Sequence, residues 1–216
     1  MIPFRSACFL CVALLLGAQE VVPLNLPAPP AGSATLQTAL RARATVRALA
    51  GPAPSLAEAS QLLWAAQGEN RPGRRVAPSA HAKHPLELYL VTSGSPDLAA
   101  GLYHYLPSGH RLTRVADGTP RTLLGAVKGM QAWIQEAPSV FVMAGDPSRI
   151  GEGSAALNLT YYEGGAAAQG LLLQAAALGL GAGTAAGVDL EAVARTLGLP
   201  KGTQVLTLLP VGRVRP

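Results

Sequence analysis

The stretch that decides the fold is LNLTYYEGGAAAQGLLLQAAALGLGAGTAAGVD, which runs from Leu157 to Asp189. Its only charged residues are Glu163 and Asp189. From Glu163 to Gly179 it consists mainly of alanine and leucine, which are strong helix formers. Because a helix that is apolar nearly all round must be buried on most sides, this segment predicts a central core helix.

A membrane span is the alternative interpretation of the same helix. A span needs about 20 apolar residues with few interruptions. Here Gln169 and Gln174 interrupt the run, and a glycine-rich tail follows at once. These features favour a buried helix in a soluble domain. The small residues from Gly164 to Ala168 would let another backbone approach closely, including that of a second subunit.

The composition predicts one folded domain. A chain of 216 residues can bury a substantial core, and 49% hydrophobic with only 13% charged residues excludes a disordered chain. Predicted helices and strands mix without strict βαβ alternation, which favours the α+β class. The net charge is +5, but the basic residues are spread along the chain without interleaved aromatics. We therefore expect an anionic small ligand rather than nucleic acid.

The N-terminal 20 residues are typical of a secretory signal peptide. Arg5 precedes the apolar run ACFLCVALLLGA, and Gln19 follows it. This pattern predicts a secreted or periplasmic protein with no stable membrane span after cleavage; an uncleaved anchor is the alternative. Cleavage would remove both cysteines, Cys8 and Cys11, and with them any thiolate chemistry. Residues 21–33 are predicted to be a proline-rich tether, and residues 34–216 the domain.

Local signals place the other elements. The sequence Ser55-Leu56-Ala57-Glu58 is a capping-box pattern that opens a helix reaching Gln67. Asp189 can cap a short helix that ends at Gly198. Further helices are predicted over Thr35–Arg43 and Leu123–Gln135, strands over Leu86–Val91, Ser139–Ala144 and Val205–Val211, a hairpin over Leu102–Leu106 and Arg111–Val115, and a basic loop over Gly68–Ala77.

The sequence contains no nucleophile-elbow, Walker or dinucleotide-fingerprint pattern. GLGAGTAAG resembles a phosphate loop only superficially, because it follows a helix whereas a P-loop precedes one. We interpret it as a helix stop that brings backbone close to a flat ligand. His81, His84 and Glu87 have residue types that bind zinc. Pro85 lies inside that segment, so an exposed polar loop is the default interpretation and no metal site is predicted.

Three arginine groups suggest an anionic ligand. Arg43 and Arg47 flank Thr45 near a predicted helix end. Another group includes Arg74 and Arg75, and a third includes Arg213 near the C-terminus. Forked guanidinium groups bind phosphate bidentately. If the groups converge, they would hold one phosphorylated cofactor; spacing alone favours solvated surface arginines.

Several segments carry a resemblance to a known family. They are RARATVRAL, SQLLWAAQGEN followed by RRVAPSAHAKHPLELYLV, GLYHYLPSGHRL, YEGGAAAQGLLLQAAALGLG and GTAAGVD. Together they resemble the nitroreductase-like FMN flavoprotein family, specifically its SagB-type (ThcOx-like) dehydrogenase branch. The resemblance covers about Leu36 to Gly212. Three positions depart from the family pattern: Ala44 replaces an arginine, Ala166 a histidine and Gly170 an asparagine.

The resemblance implies a nitroreductase-like α+β fold, with a central antiparallel or mixed sheet surrounded by helices. It places the long buried helix at the interface of a homodimer, with FMN bound there. It further implies an oxidoreductase that passes hydride from NAD(P)H or another donor to a small electron-poor substrate. Because the flavin carries that chemistry, no catalytic side chain is predicted. The departures motivate an alternative, a non-catalytic flavin- or ligand-binding protein on the same fold.

The resemblance also implies the cofactor contacts. Arg43, Thr45 and Arg213 would contact phosphate or ribityl groups, and Arg47 would lie toward the N1/O2 edge of the flavin. Ser79 would lie against the flavin, and the loop ending in Gly187 would bring backbone to the ring. The complete predicted set is Arg43, Thr45, Arg47, Pro78, Ser79, Ala80, Ala186, Gly187 and Arg213.

Overall fold

The predicted central helix is confirmed and is longer than its apolar run. In the computed structural model, which describes residues 23–30, 32 and 34–215, it spans Gly153–Ala177. Its 25 residues extend for about 37 Å. The turn after it ends at Gly179, whose positive φ of 69° is a conformation that glycine adopts without strain.

The elements follow the chain in the order β1 (Leu24–Asn25), α1 (Leu36–Ala42), β2 (Leu49–Ala50), α2 (Leu56–Gln67), β3 (Glu69–Arg71), β4 (Arg74–Arg75), β5 (Leu86–Thr92), β6 (Gly101–Leu106), β7 (Arg111–Ala116), α3 (Pro120–Leu124), α4 (Ala132–Gln135), β8 (Ser139–Gly145), α5 (Gly153–Ala177), β9 (Gly181–Ala182), α6 (Leu190–Thr196) and β10 (Gln204–Val214). The predicted α+β class is confirmed. The helix over Glu163–Gly179 is the C-terminal part of α5.

The main sheet has the strand order β1-β7-β6-β5-β8-β10-β2, and β9 pairs with β10 outside that path. All these strand pairs are antiparallel. A single residue pair, Thr45 and Ala182, forms a parallel bridge beside the sheet. The central strands β5 and β8 are almost wholly buried because helices cover both sheet faces. The nitroreductase-like sheet architecture inferred from the resemblance is therefore present.

The sheet separates two hydrophobic clusters. One contains α2 and α5 residues, including Leu62, Leu63 and Leu171. The other contains residues of α3, α4 and α6, including Leu124, Ile134 and Val193. None of the helices in the described part of the chain combines the length and apolarity of a membrane span.

Helix α2 begins as its sequence predicts. The Ser55 side chain accepts from the Glu58 backbone N–H, and the Glu58 carboxylate accepts from the Ser55 backbone N–H at 2.8 Å. These reciprocal bonds satisfy donors that the first helical turn leaves free. Asp189 likewise accepts from the Ala192 N–H at the start of α6.

Three predicted segments differ from the structure. The segment from Leu123 to Gln135 is not one helix: α3 ends at Leu124 and α4 begins at Ala132, with Gly129 between them at a φ of 78°. The basic loop after α2 contains the short hairpin β3–β4. The proline-rich segment predicted to be a tether contributes β1, which pairs with β7 at the sheet edge. The predicted leader, residues 1–20, lies outside the described residues.

A buried polar cluster fastens the segment after β1 to the domain. Leu26 is buried, and the Pro27 carbonyl accepts from Ser60 Oγ at 2.6 Å. Because that bond uses the only hydroxyl proton, Ser60 must accept from His110 Nε2, 2.7 Å away. His110 Nδ1 then accepts from the Tyr105 hydroxyl at 2.7 Å. The Ser60–His110–Tyr105 cluster thus requires a neutral histidine.

Candidate functional site

The segment from Arg43 to Arg47 lies directly beside the glycine-rich loop that follows α5. Arg43 is the C-terminal cap of α1, where the backbone turns from helical to extended. Thr45 then forms its parallel bridge with Ala182, and the Val46 N–H donates to the Ala182 carbonyl at 2.9 Å. The two segments that the resemblance assigns to FMN are thereby joined by backbone contacts.

Arg43 borders a small pocket of about 180 Å³ between α1, α5 and β10. Apart from Arg43 the lining side chains are apolar: Ala42, Ala44, Val46, Leu172, Ala176, Leu180, Ala182 and Val214, with Gly179. The Arg43 guanidinium has no ion pair or hydrogen bond with any described side chain. A cation beside an apolar pocket without a carboxylate partner is chemically suited to bind an anion.

Arg47 lies over an aromatic ring that the sequence analysis did not single out. Its guanidinium carbon is 5.6 Å from the centroid of the Trp133 ring. A Cβ placed on Gly183 would lie 3.1 Å from Thr45 Cγ2 and 3.4 Å from the edge of Trp133. Arg47, Trp133, Thr45 and Gly183 therefore lie close together. Nothing local in the sequence announces this group, because Trp133 is 86 residues from Arg47.

Ala186 and Gly187 form the exposed end of the same loop. Ala185 exchanges backbone hydrogen bonds with Leu208 on β10, which fixes the start of this loop end. The ideal Cβ position on Gly187 meets no atom within 4 Å. The backbone here is accessible to a ligand, as the resemblance implies.

Arg213 is directed to a different partner. Its guanidinium forms a bidentate pair with the Glu58 carboxylate, with both N–O distances 2.8 Å. Burial acts to raise the pKa of Glu58, but hydrogen bonds from Arg213 and Ser55 hold that pKa below its usual value of 4.5. The next residue, Val214, lines the Arg43 pocket, whereas Arg213 does not. The structure therefore does not bring Arg213 to Arg43, and its cofactor role stays a prediction.

Pro78, Ser79 and Ala80 lie beside the middle of α5. The Ala80 N–H donates to the carboxylate of Glu163 at 2.6 Å, and Ser79 Oγ accepts from the His84 N–H at 2.8 Å. Glu163 is only 2% exposed. Along α5, Glu163 is separated from Ala176 in the Arg43 pocket by about 20 Å of helix. Residues 78–80 and Arg43 of one subunit therefore lie far apart.

The His-x-x-His-x-x-Glu residues do not converge. Glu87 pairs with His104 Nε2 at 2.6 Å and with Arg149. Burial acts to raise the pKa of Glu87, but these two partners hold it below its usual value of 4.5. Across the described residues, no cluster of three histidine, cysteine or acidic side chains is arranged to hold a metal ion.

The structure shows the surroundings of two of the three positions that depart from the family pattern. A Cβ on Gly170 would lie 2.4 Å from the Ala65 carbonyl oxygen, so α5 and α2 approach too closely here for a side chain. Ala44 lines the Arg43 pocket, where it adds apolar surface instead of a second cation. Nothing in the structure explains Ala166.

The chain is similar to nitroreductases over most of its length. Residues 40–213 match the nitroreductase family. A Methanocaldococcus jannaschii protein named as a nitroreductase is 28% identical over 193 residues, covering 88% of this chain and 96% of the relative. The chain therefore belongs to the nitroreductase family.

Solved structures show the same fold. A Ralstonia eutropha structure described as a nitroreductase aligns with a TM-score of 0.76 and 29% identity, covering 90% of each chain. A Desulfovibrio desulfuricans structure, described as a nitroreductase in complex with FMN, aligns with a TM-score of 0.61 and 18% identity. It covers 85% of this chain and 88% of the other.

Proposed function

We propose that the protein is an exported FMN-dependent oxidoreductase. The observation that carries this proposal is the juxtaposition of two unpaired cations, Arg43 and Arg47, with the exposed loop ending in Gly187. Neither guanidinium pairs with a described carboxylate. Family membership supplies the oxidoreductase class, and the FMN of the Desulfovibrio desulfuricans structure supplies the cofactor.

The residues present fit a flat cofactor with a phosphate tail. Arg43 supplies charge and hydrogen-bond donors beside an apolar pocket, which suits a phosphate that must be neutralised on binding. Gly187 leaves its backbone uncovered, which suits close approach of a planar ring. Ala44 removes one cation from the family pattern, so the phosphate interaction depends more on Arg43.

The division of labour follows from these positions. FMN, when bound, would accept and donate hydride. The protein would supply Arg43 and Thr45 to the phosphate and ribityl end. Arg47 would supply positive charge toward the N1/O2 edge, where it favours the reduced form of the cofactor. None of these roles requires an acid–base pair in the protein.

The separation along α5 favours a site shared by two subunits. Ala80 of the 78–80 segment contacts Glu163, whereas the Arg43 pocket is lined by Leu172 and Ala176, about 14–20 Å further along the helix. One subunit therefore does not bring these two groups of predicted contacts together. An uncharged exposed stripe of α5, containing Tyr162, Gly165 and Gln169, is available for a second copy. Tyr162 is 71% exposed. We therefore propose a homodimer that places residues 78–80 of one subunit near the arginines of the other.

The substrate and donor follow from the proposed chemistry. A small electron-poor molecule is the expected acceptor, and NAD(P)H or another reductant the donor. The SagB-type branch is proposed from the motifs around LLWAAQG and PSAHAKHPLE.

Export is proposed from the N-terminal leader pattern and is tested by the mass of the mature chain recovered from the culture medium or periplasm. Intact mass in the cytoplasmic fraction would contradict it.

The test of function is spectroscopic. We expect the purified mature chain to be yellow, or to become so with FMN, and to be bleached by NADH, NADPH or a low-potential chemical donor under anaerobic conditions. Oxidation of the bleached protein by an electron-poor nitroaromatic would complete the cycle. A protein that never binds FMN would overturn the proposal. One that binds FMN and stays yellow with every donor would support a non-catalytic ligand-binding protein instead.

The proposed dimer has its own test. Light scattering should give twice the subunit mass, and Tyr162→Glu should lower it by introducing a charge on the uncharged stripe. The matched control is Val115→Glu, which introduces the same charge at an exposed apolar position on β7, outside α5. A monomeric wild type that still binds FMN with full affinity would contradict the shared site.

A further inference from the structure

The ring of Trp133 packs against Arg47, in the segment from Arg43 to Arg47. It lies on α4, which belongs to the opposite side of the sheet from α5. Its indole Nε1 donates to Gln131 Oε1 at 2.8 Å. One face of the ring receives Arg47, and its edge lies beside Gly183.

This contact gives Arg47 a fixed direction without neutralising it. An exposed arginine normally samples many rotamers, which costs free energy when a ligand must immobilise it. A carboxylate partner would fix the side chain but cancel its charge, as Glu58 does for Arg213. An aromatic face restrains a guanidinium while leaving its charge and its N–H donors available.

We propose that Trp133 is a positioning residue that holds Arg47 toward the cofactor. This inference rests on the proposed FMN function. Trp133 acts through Arg47, so replacing Trp133 should alter the affinity and potential of FMN only while Arg47 is present.

A double-mutant cycle tests the inference. Purified wild type, Trp133→Leu, Arg47→Ala and the double variant are titrated with FMN, and the potential of bound FMN is measured for each. We expect Trp133→Leu to weaken FMN binding about 2- to 5-fold, the range of one cation–π contact. The reduction potential of FMN bound to Trp133→Leu should become more negative, because the positive charge of Arg47 is no longer held near the cofactor. In the Arg47→Ala background, Trp133→Leu should have little further effect.

Two controls make the cycle specific. Trp133→Phe keeps an aromatic face and should restore most of the wild-type affinity and potential. Trp133→Leu combined with Arg43→Ala should be closer to additive, because Arg43 does not contact the ring. Equal effects of Trp133→Leu with and without Arg47 would overturn the inference while leaving FMN binding intact. Failure of the wild type to bind FMN would overturn the proposed function itself, together with this inference.

Discussion

Two polar groups of the molecule differ in how completely the chain satisfies them. In the Ser60–His110–Tyr105 cluster, the three side chains and the Pro27 carbonyl have hydrogen bonds of 2.6–2.7 Å within the protein. Arg43 and Arg47 pair with no described carboxylate, although Arg213, 166 residues after Arg47, pairs bidentately with Glu58. The Ser60–His110–Tyr105 group, called the closed cluster below, has its hydrogen-bond partners within the fold. Arg43 and Arg47, called the open arginines, have no described carboxylate partner and can pair with an external anion.

The two groups of polar side chains are expected to have different roles, one in stability and the other in ligand binding. A buried polar side chain is retained when its partners are supplied by the fold, and removing one partner leaves the others unsatisfied. An exposed cation without a partner contributes little to stability. We therefore expect the closed cluster to determine folding stability and the open arginines to determine ligand affinity. A substitution in one group should change mainly the property that this group determines.

The largest expected effect is on stability and concerns the closed cluster. Ser60→Ala removes the donor to the Pro27 carbonyl and the acceptor for His110 Nε2. We expect the free energy of unfolding to fall by about 2–4 kcal/mol, since Ser60 is fully buried and both the Pro27 carbonyl and the partly buried His110 lose their partner. Urea unfolding measures the loss. Ser108→Ala, the same change at an exposed turn position, should stay within about 0.5 kcal/mol. Equal stabilities of the two variants would show that the cluster is not structural.

The next effect should appear in affinity. Arg43→Ala removes a charge-assisted interaction with the proposed phosphate, so we expect FMN to bind about 10- to 100-fold more weakly. The free energy of unfolding should change by less than about 0.5 kcal/mol. Arg41→Ala, on the exposed last turn of α1, is the matched control and should leave affinity unchanged. A stability loss without an affinity loss in Arg43→Ala would reverse the assignment of the two groups.

The same contrast between closed and open positions occurs within α5. Gly170→Ala forces a Cβ against the Ala65 carbonyl and should destabilise by about 1–3 kcal/mol. Gly165→Ala meets no atom of its own subunit and should stabilise the monomer by about 0.5–1 kcal/mol through helix propensity. Thermal unfolding and light scattering of both variants separate monomer stability from dimer formation. Destabilisation of the monomer by Gly165→Ala would show a contact that the subunit structure lacks.

The smallest effect is the pH dependence of the closed cluster. Burial lowers the pKa of His110 below its usual 6.5, although the Pro27 backbone partly opposes this shift. The unfolded chain then binds the proton more readily, so stability contributed by the neutral histidine is present above about pH 6.5 and declines as the pH falls. His110→Asn should flatten this slope in unfolding measurements between pH 7 and pH 5. His81→Asn, at an exposed position with a similar positive φ, should retain it. An unchanged slope in His110→Asn would remove His110 as its source.

Local signals were sufficient to predict several elements from the sequence. The Ser55 capping box and the Asp189 cap act within one helical turn, and the apolar run after Glu163 is one continuous segment; all three are present in the structure. The break between α3 and α4 had a local signal too, since Gly125 and Gly129 interrupt the predicted helix. The weak apolar pattern predicted one continuous helix, but in the structure the helix ends at the glycines.

The missed features depend on residues far apart in the chain. Proline content suggested a tether, yet β1 is held by pairing with β7 and by Ser60, 33 residues beyond Pro27. The Glu58–Arg213 pair spans 155 residues. No local pattern distinguishes an arginine that has such a partner from one that does not. The motifs could therefore name candidate residues, but the difference between Arg213 and Arg43 required the fold.

We propose that Arg43 and its neighbours bind the phosphate of a flavin. The most direct measurement compares FMN with riboflavin, which lacks only that phosphate, in fluorescence titrations of the wild type and Arg43→Ala. We predict that the wild type binds FMN at least about tenfold more tightly than riboflavin. In Arg43→Ala the ratio should fall toward one, mainly through weaker FMN binding. Equal affinity of the wild type for the two flavins, or a ratio unaffected by Arg43→Ala, would contradict the account.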